Sequence, residues 1–244
     1  DGKLLAYSIR EGGEDEVTVR FLDIDSGVHL EDNLPKANYF GGSITFDKGG
    51  FYYSKHVNEI GSRVYYHKMG TDPAGDPMIF GEGYGPDKGI VCWITDDGRH
   101  LGIAVFHGSA GTKTEVYYKN LAADGPITAL VNAVDANFDP GFAGDTVFMS
   151  TNWNAPNGRI LAVDLKNPSR ESWKEIVPER KDAVIEGFSI AGGKIFVNYM
   201  ENVSSKVRAF GPDGAYLNEI SFPTLGTVSG VSGRWTSNSS PRGL

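Results

Sequence analysis

The feature that most restricts the fold is a repeat. Five Gly-bearing turns, Asp1-Gly2, Lys48-Gly49-Gly50, Asp96-Asp97-Gly98, Ala143-Gly144-Asp145 and Gly192-Gly193-Lys194, each introduce an apolar run. The steps from Gly2 to Gly49, Gly98, Gly144 and Gly193 are 47, 49, 46 and 49 residues. Self-similarity at such a period means one supersecondary unit stacked several times over. Inside each unit the runs alternate and are rich in β-branched and aromatic side chains, as half-buried strands are. First strands are predicted at 4–9, 51–54, 101–106, 146–150 and 195–200. Second strands follow at 17–24, 64–69, 116–121, 160–165 and 207–210, and third strands near 28–30, 78–80, 127–131, 173–177 and 217–222. A fourth, small and apolar, precedes the next turn at 41–46, 90–95, 138–142, 185–190 and 227–233. Four short strands at this period predict an all-β β-propeller of five four-stranded blades. A β-sandwich also alternates, but it does not explain five equal periods.

The phase of the repeat adds two expectations. The chain starts at the second strand of a blade, and 227–233 is an inner strand with no blade of its own. Pairing of 227–233 with the amino-terminal strands would close the ring and remove free edges. The propeller then spans 1–233 and leaves a polar tail at 234–244. The opening Asp1-Gly2, without Met, reads as a turn inside a structural unit, so a longer parent polypeptide is expected.

Composition narrows the function. With 40% hydrophobic residues the chain can bury a core. Its 31 acidic and 23 basic residues give a net charge of -8, which repels phosphate backbones, so no nucleic-acid partner is expected. No apolar stretch approaches the ~20 residues of a membrane helix, and no membrane partner is expected. The single cysteine, Cys92, rules out an internal disulfide and any Cys-cluster zinc site. It reads as a small core residue and fits a cytoplasmic location. The five histidines, His29, His56, His67, His100 and His107, lie at scattered blade positions without helical spacing, so no metal and no cofactor is expected. Asp23-Ile24-Asp25-Ser26-Gly27 looks like half a calcium loop and reads as an Asx turn ending a strand. Asn202-Val203-Ser204 and Asn238-Ser239-Ser240 are glycosylation sequons that matter only in a secreted protein.

Several stretches carry a family resemblance. They are Val64-Tyr65-Tyr66-His67-Lys68-Met69-Gly70-Thr71-Asp72, Asn157-Gly158-Arg159-Ile160 with Asp164-Leu165, Ser172-Trp173-Lys174-Glu175-Ile176-Val177-Pro178-Glu179, and the turn Thr95-Asp96-Asp97-Gly98-Arg99. Together they resemble the propeller of the prolyl oligopeptidase (prolyl endopeptidase) family, serine peptidases of the α/β-hydrolase clan. Family propellers have seven blades, so about two blades and the hydrolase domain are lacking here. The resemblance implies a gating domain that covers the hydrolase active site, excludes folded proteins and admits short proline-containing peptides. Its implied partners are a hydrolase domain elsewhere in the polypeptide and those peptides. By pattern, substrate-facing loop positions fall near Tyr39, Gly89 and Ser109. Gly89 offers no side chain, which leaves Tyr39 and Ser109 as substrate-binding candidates.

No catalytic residue is expected in the chain. A nucleophile elbow needs Gly-x-Ser-x-Gly between a strand and a helix. Ser43, Ser109 and Ser232 lie in Gly-rich turns that miss this pattern, and no serine paired with an imidazole is expected. Two other readings stay open: a free-standing module that binds peptides or proteins, and a five-bladed, glycosidase-like hydrolase. The last would use Asp139 and Glu186, carboxylates on consecutive inner strands that could flank a sugar.

Overall fold

The alternating runs form strands in the computed structural model, which describes residues 2–108, 111–224, 226–228, 230–237 and 242–243. The chain divides into two compact units, Asp1–Asn132 and Ala133–Leu244. In the first unit, β1 (Leu4–Arg10), β2 (Val17–Asp23) and the first part of β3 (His29–Ile44) make a three-stranded sheet. The second part of β3 continues into β4 (Gly50–Val57), β5 (Gly61–Lys68) and β6 (Met78–Phe80). A further sheet holds β7 (Lys88–Ile94), β8 (His100–His107), β9 (Lys113–Asn120) and β10 (Thr128–Val131). Every ladder is antiparallel between chain neighbours, the connectivity expected of meandering blades.

The expectation of separate strands at 28–30 and 41–46 is corrected by β3. One strand of 16 residues runs through both and serves two sheets. Pro35 is tolerated inside it because the β2–β3 ladder skips from Leu34 to Ala37, a bulge where no backbone N–H is needed. At Gly42 a Cβ would lie 2.4 Å from the Phe51 ring. Here the glycine lets an aromatic ring of the next strand fold flat against the backbone. At the end of β2 the Asp23 carboxylate accepts from the Ser26 N–H and hydroxyl, each at 2.8 Å, which closes the expected Asx turn.

The second unit repeats the plan with β11 (Phe138–Ala143), β12 (Thr146–Thr151), β13 (Arg159–Asp164) and β14 (Lys174–Val177), then β15 (Val184–Ala191), β16 (Lys194–Glu201), β17 (Ser204–Phe210) and β18 (Tyr216–Ile220). The expected closing strand, 227–233, belongs to this unit. Asn198 Nδ2 donates to the Val228 carbonyl at 3.1 Å, and Val228 N–H donates to Ser205 Oγ at 3.0 Å. Within it β19 (Val231–Ser232) pairs with β20 (Arg242–Gly243). Pairing with β1 is not among the ladders of the described residues. Residues 234 and 235, the start of the polar tail, are held by bonds from the Gly192 and Gly193 N–H groups, and Trp235 rests 5.6 Å from the Phe148 ring. The sequon at 238–240 lies outside the described residues. No helix among the described residues is long and apolar enough to cross a membrane.

The cores sit between successive sheets rather than within one. Val19, Phe21 and Leu34 meet Phe51 and Tyr53; Val64 meets Ile90, Cys92, Leu101, Ile103 and Val105; Phe148 and Ile160 meet Ile195 and Val197. Within each unit successive sheets bury a face against one another, and this burial drives their stacking. Cys92 is sealed in the second of these clusters, and burial pushes its thiol up to about 12. A thiol reagent should therefore leave the folded chain unlabelled and modify one thiol per chain after denaturation. Labelling of the folded chain at the rate of a free thiol would disprove this packing.

Candidate functional site

The two described positions that pattern places near a substrate, Tyr39 and Gly89, lie on β3 and β7. These strands run side by side. Ile94 N–H donates to Ser43 Oγ at 3.1 Å, and a Cβ on Gly41 would meet the Cys92 carbonyl at 3.1 Å. Both contacts join the carboxy-terminal part of β3 to β7. Tyr39 is half-buried. Its hydroxyl donates to the Pro35 carbonyl and its ring lies 5.8 Å from that of Tyr53. Burial, with the charge of Asp76 behind it, raises the phenol well above its ordinary value. Tyr39 thus presents a fixed aromatic edge and a hydroxyl already in use. A Cβ at Gly89 would touch only Phe106, at 3.9 Å, so this strand start is open. Ser109 lies outside the described residues.

The carboxylate pair sits on the leading strands of the two sheets of the second unit, Asp139 on β11 and Glu186 on β15. Burial pushes the Asp139 carboxyl above its ordinary value, although the residue keeps an exposed side. Glu186 is exposed at a bulge between Ile185 and Gly187 and accepts from Asn198 Nδ2 at 3.4 Å. No hydrogen bond joins the two carboxyls among the described residues.

Two histidine networks escaped the sequence reading. His67 on β5 is fully buried. Its Nε2 lies 2.9 Å from Asp32 Oδ1 and its Nδ1 2.9 Å from Asp76 Oδ1. Tyr53 donates its hydroxyl to Asp76 Oδ2 at 2.9 Å, and Gly70 N–H donates to Asp32 Oδ1 at 2.5 Å. Asp32 belongs to the first sheet, His67 and Tyr53 to the second and Asp76 to the connection between β5 and β6, so the network bolts two successive modules together. Its sequence signal was a polar residue, Asp32, on the same strand face as the buried Leu34.

The second network surrounds Glu115 on β9. The carboxylate accepts from Tyr84 and Tyr117 hydroxyls at 2.5 and 2.8 Å, and His107 Nε2 lies 2.7 Å away. Burial acts to raise the Glu115 carboxyl, but these bonds outweigh it and hold the group below its ordinary value.

The structure does hold one serine–imidazole contact of the kind the sequence reading did not expect: His56 Nδ1 lies 3.3 Å from Ser62 Oγ. It is a cross-strand pair of the β4–β5 hairpin. Ser62 is fully buried, out of reach of any substrate, and no carboxylate bonds His56 among the described residues. The geometry that makes a triad is therefore missing. Among the described residues no group of three or more His, Cys, Asp or Glu side chains is disposed to hold a metal.

A family model for the prolyl oligopeptidase N-terminal β-propeller domain matches residues 1–239. The chain belongs to that family. A prolyl endopeptidase from Elizabethkingia meningoseptica is 30% identical over 245 residues, which cover 96% of this chain and 34% of that protein. Dipeptidyl aminopeptidase BI from Pseudoxanthomonas mexicana is 28% identical over 222 residues, covering 88% of this chain and 30% of its own length. A prolyl endopeptidase structure studied for the role of inter-domain dynamics superposes with a TM-score of 0.89 at 27% identity, over 97% of this chain and 36% of that one. Prolyl oligopeptidase B from Galerina marginata, bound to a 35-residue substrate, gives 0.83 at 23% identity over 97% of this chain and 35% of its own, a likeness of fold. This prolyl oligopeptidase propeller spans about a third of the length of these relatives. The propeller assignment thereby prevails over a β-sandwich.

Proposed function

We propose that this propeller is the gating and substrate-filtering part of a prolyl oligopeptidase-like serine peptidase, and that bond cleavage belongs to a hydrolase domain elsewhere in the same polypeptide. One observation carries the reading: the family match falls on the propeller domain from residue 1 to 239. The serines agree with it. Ser43 is engaged by the Ile94 N–H, Ser62 is buried, and neither lies in a nucleophile elbow. A filter needs walls that do not yield, and blades bolted by buried aromatic clusters and by the His67 network provide them. Such walls admit short proline-containing peptides and exclude folded proteins by size. In this reading Tyr39 and Ser109 are the side chains that face the substrate. An unpaired cysteine fits a cytoplasmic enzyme.

The chain alone is expected to leave a chromogenic Gly-Pro substrate uncut. The full-length polypeptide should cleave it and spare the same dipeptide within a folded protein. Robust turnover by the isolated chain would overturn the assignment, as would a full-length enzyme that cuts folded and short substrates equally well.

A further inference from the structure

The first unit carries a cleft apart from Tyr39 and Gly89. It lies between β4–β6 and β9–β10 and has a volume of about 600 Å³. Tyr52 and Tyr66 line it with rings 4.7 Å apart, tilted by 44°, and Ile79 and Ile127 add apolar surface. Lys119 Nζ, also in the lining, donates to Asp124 Oδ1 at 2.8 Å and to the Gly125 carbonyl at 2.7 Å. Two of the three ammonium donors are thus engaged by the protein itself. Asp124 Oδ2 has no partner among the described residues, and the Asp124 side chain is 94% exposed. The phenols of Tyr52 and Tyr66 are raised above their ordinary values, chiefly by burial and further by nearby charge: Asp124 and Asp47 at Tyr52, Asp47 at Tyr66. Within the lining Asp124 and Lys119 balance one another, so the pull on a cation comes from the open Asp124 oxygen and the negative aromatic faces.

We infer that this cleft binds a basic side chain of a peptide partner, an arginine or lysine. Its aliphatic stem lies on Ile79 and Ile127, and its cationic head meets the tyrosine faces and the open oxygen of Asp124. Long basic side chains bury their stems on apolar surface and keep the charge at a polar edge. Cations over tyrosine rings are attracted by the ring quadrupole. The chain's net charge of -8 favours the approach of such a partner.

The test is an NMR titration of the intact chain with the blocked peptides Ac-Ala-Arg-Ala-NH2 and Ac-Ala-Gln-Ala-NH2. The arginine peptide should shift the resonances of Tyr52, Tyr66, Ile79 and Ile127 and bind about three- to tenfold more tightly than the glutamine peptide. Asp124→Asn should erase most of that preference. Asp124 has a φ of 45°, a conformation that asparagine tolerates, so the variant keeps its fold. Lys119→Met, which frees the Asp124 carboxylate, should strengthen arginine binding. Equal affinity for the two peptides, shifts elsewhere on the surface, no saturable shift, or an unchanged preference in Asp124→Asn would each overturn the inference.

Discussion

Replacement of His67 by leucine is expected to destabilise the first unit by about 3–5 kcal/mol, the cost of breaking a buried charged network from one side. The imidazole is fully buried between Asp32 and Asp76, whose side chains are 6% and 3% exposed. Without it, Asp32 keeps only the Gly70 N–H and Asp76 only the Tyr53 hydroxyl. Leucine fills a similar volume, so the cavity contribution is small and the loss comes from two carboxylates deprived of donors. Urea denaturation followed by circular dichroism reads the difference. Neutralising the stranded acids, with Asp32→Asn and Asp76→Asn added to His67→Leu, should recover part of the stability, because the pairwise terms of such a network are not additive. A loss below about 1 kcal/mol in the single variant would mean that water reaches the carboxylates and that the network does not hold the modules.

The fate of His67 also shows where sequence reading stops. The strands were legible because their signal is local. Met78–Phe80 runs between the bounds expected from its alternation, and the second strands that begin at Val64, Val116 and Ile160 carry a Val-Tyr-Tyr or Ile-Leu pattern. The family was legible for the same reason, since Val64 to Asp72 and Ser172 to Glu179 are contiguous stretches. The join of two strands into β3 was not legible, because Pro35 cannot donate to a ladder and the bulge that accommodates it depends on the partner strand β2. The His67 network draws residues 35 and 9 positions away into one point, on different elements. Nothing in the spacing of five histidines announces this; only the register of three strands brings the groups together. The surroundings of Tyr39 were likewise illegible: its ring packs on Tyr53 and its hydroxyl folds back to Pro35, contacts set beside the β3–β4 bulge between Tyr39 and Gly41. The buried Ser62–His56 pair follows from hairpin register alone.

The second large effect is expected at Gly214, where alanine should cost the second unit about 3–4 kcal/mol. Gly214 lies in the turn between β17 and β18, closed by its own N–H to the Gly211 carbonyl at 3.0 Å and by Gly211 N–H to the Ala215 carbonyl at 2.8 Å. Its φ is +85°, and a Cβ there would stand 2.0 Å from the Ile176 carbonyl oxygen and 3.0 Å from the Ile176 Cα. Those atoms are the backbone of β14, in the neighbouring sheet, so no rotamer change relieves the clash. Either the turn opens or the two sheets separate. Gly193 isolates the conformational part of the cost. It has a φ of +70° with nothing within 4 Å of its notional Cβ, so Gly193→Ala should lose only the left-handed penalty, about 1 kcal/mol. Tryptophan fluorescence in urea suits the comparison, because Trp153, Trp173 and Trp235 all lie in the second unit. If the two variants lost the same stability, close backbone approach would play no part in seating one sheet on the next. A larger loss at Gly214 would mean that adjoining blades of this filter are fixed main chain against side-chain-free main chain, a contact that leaves them no room to slide.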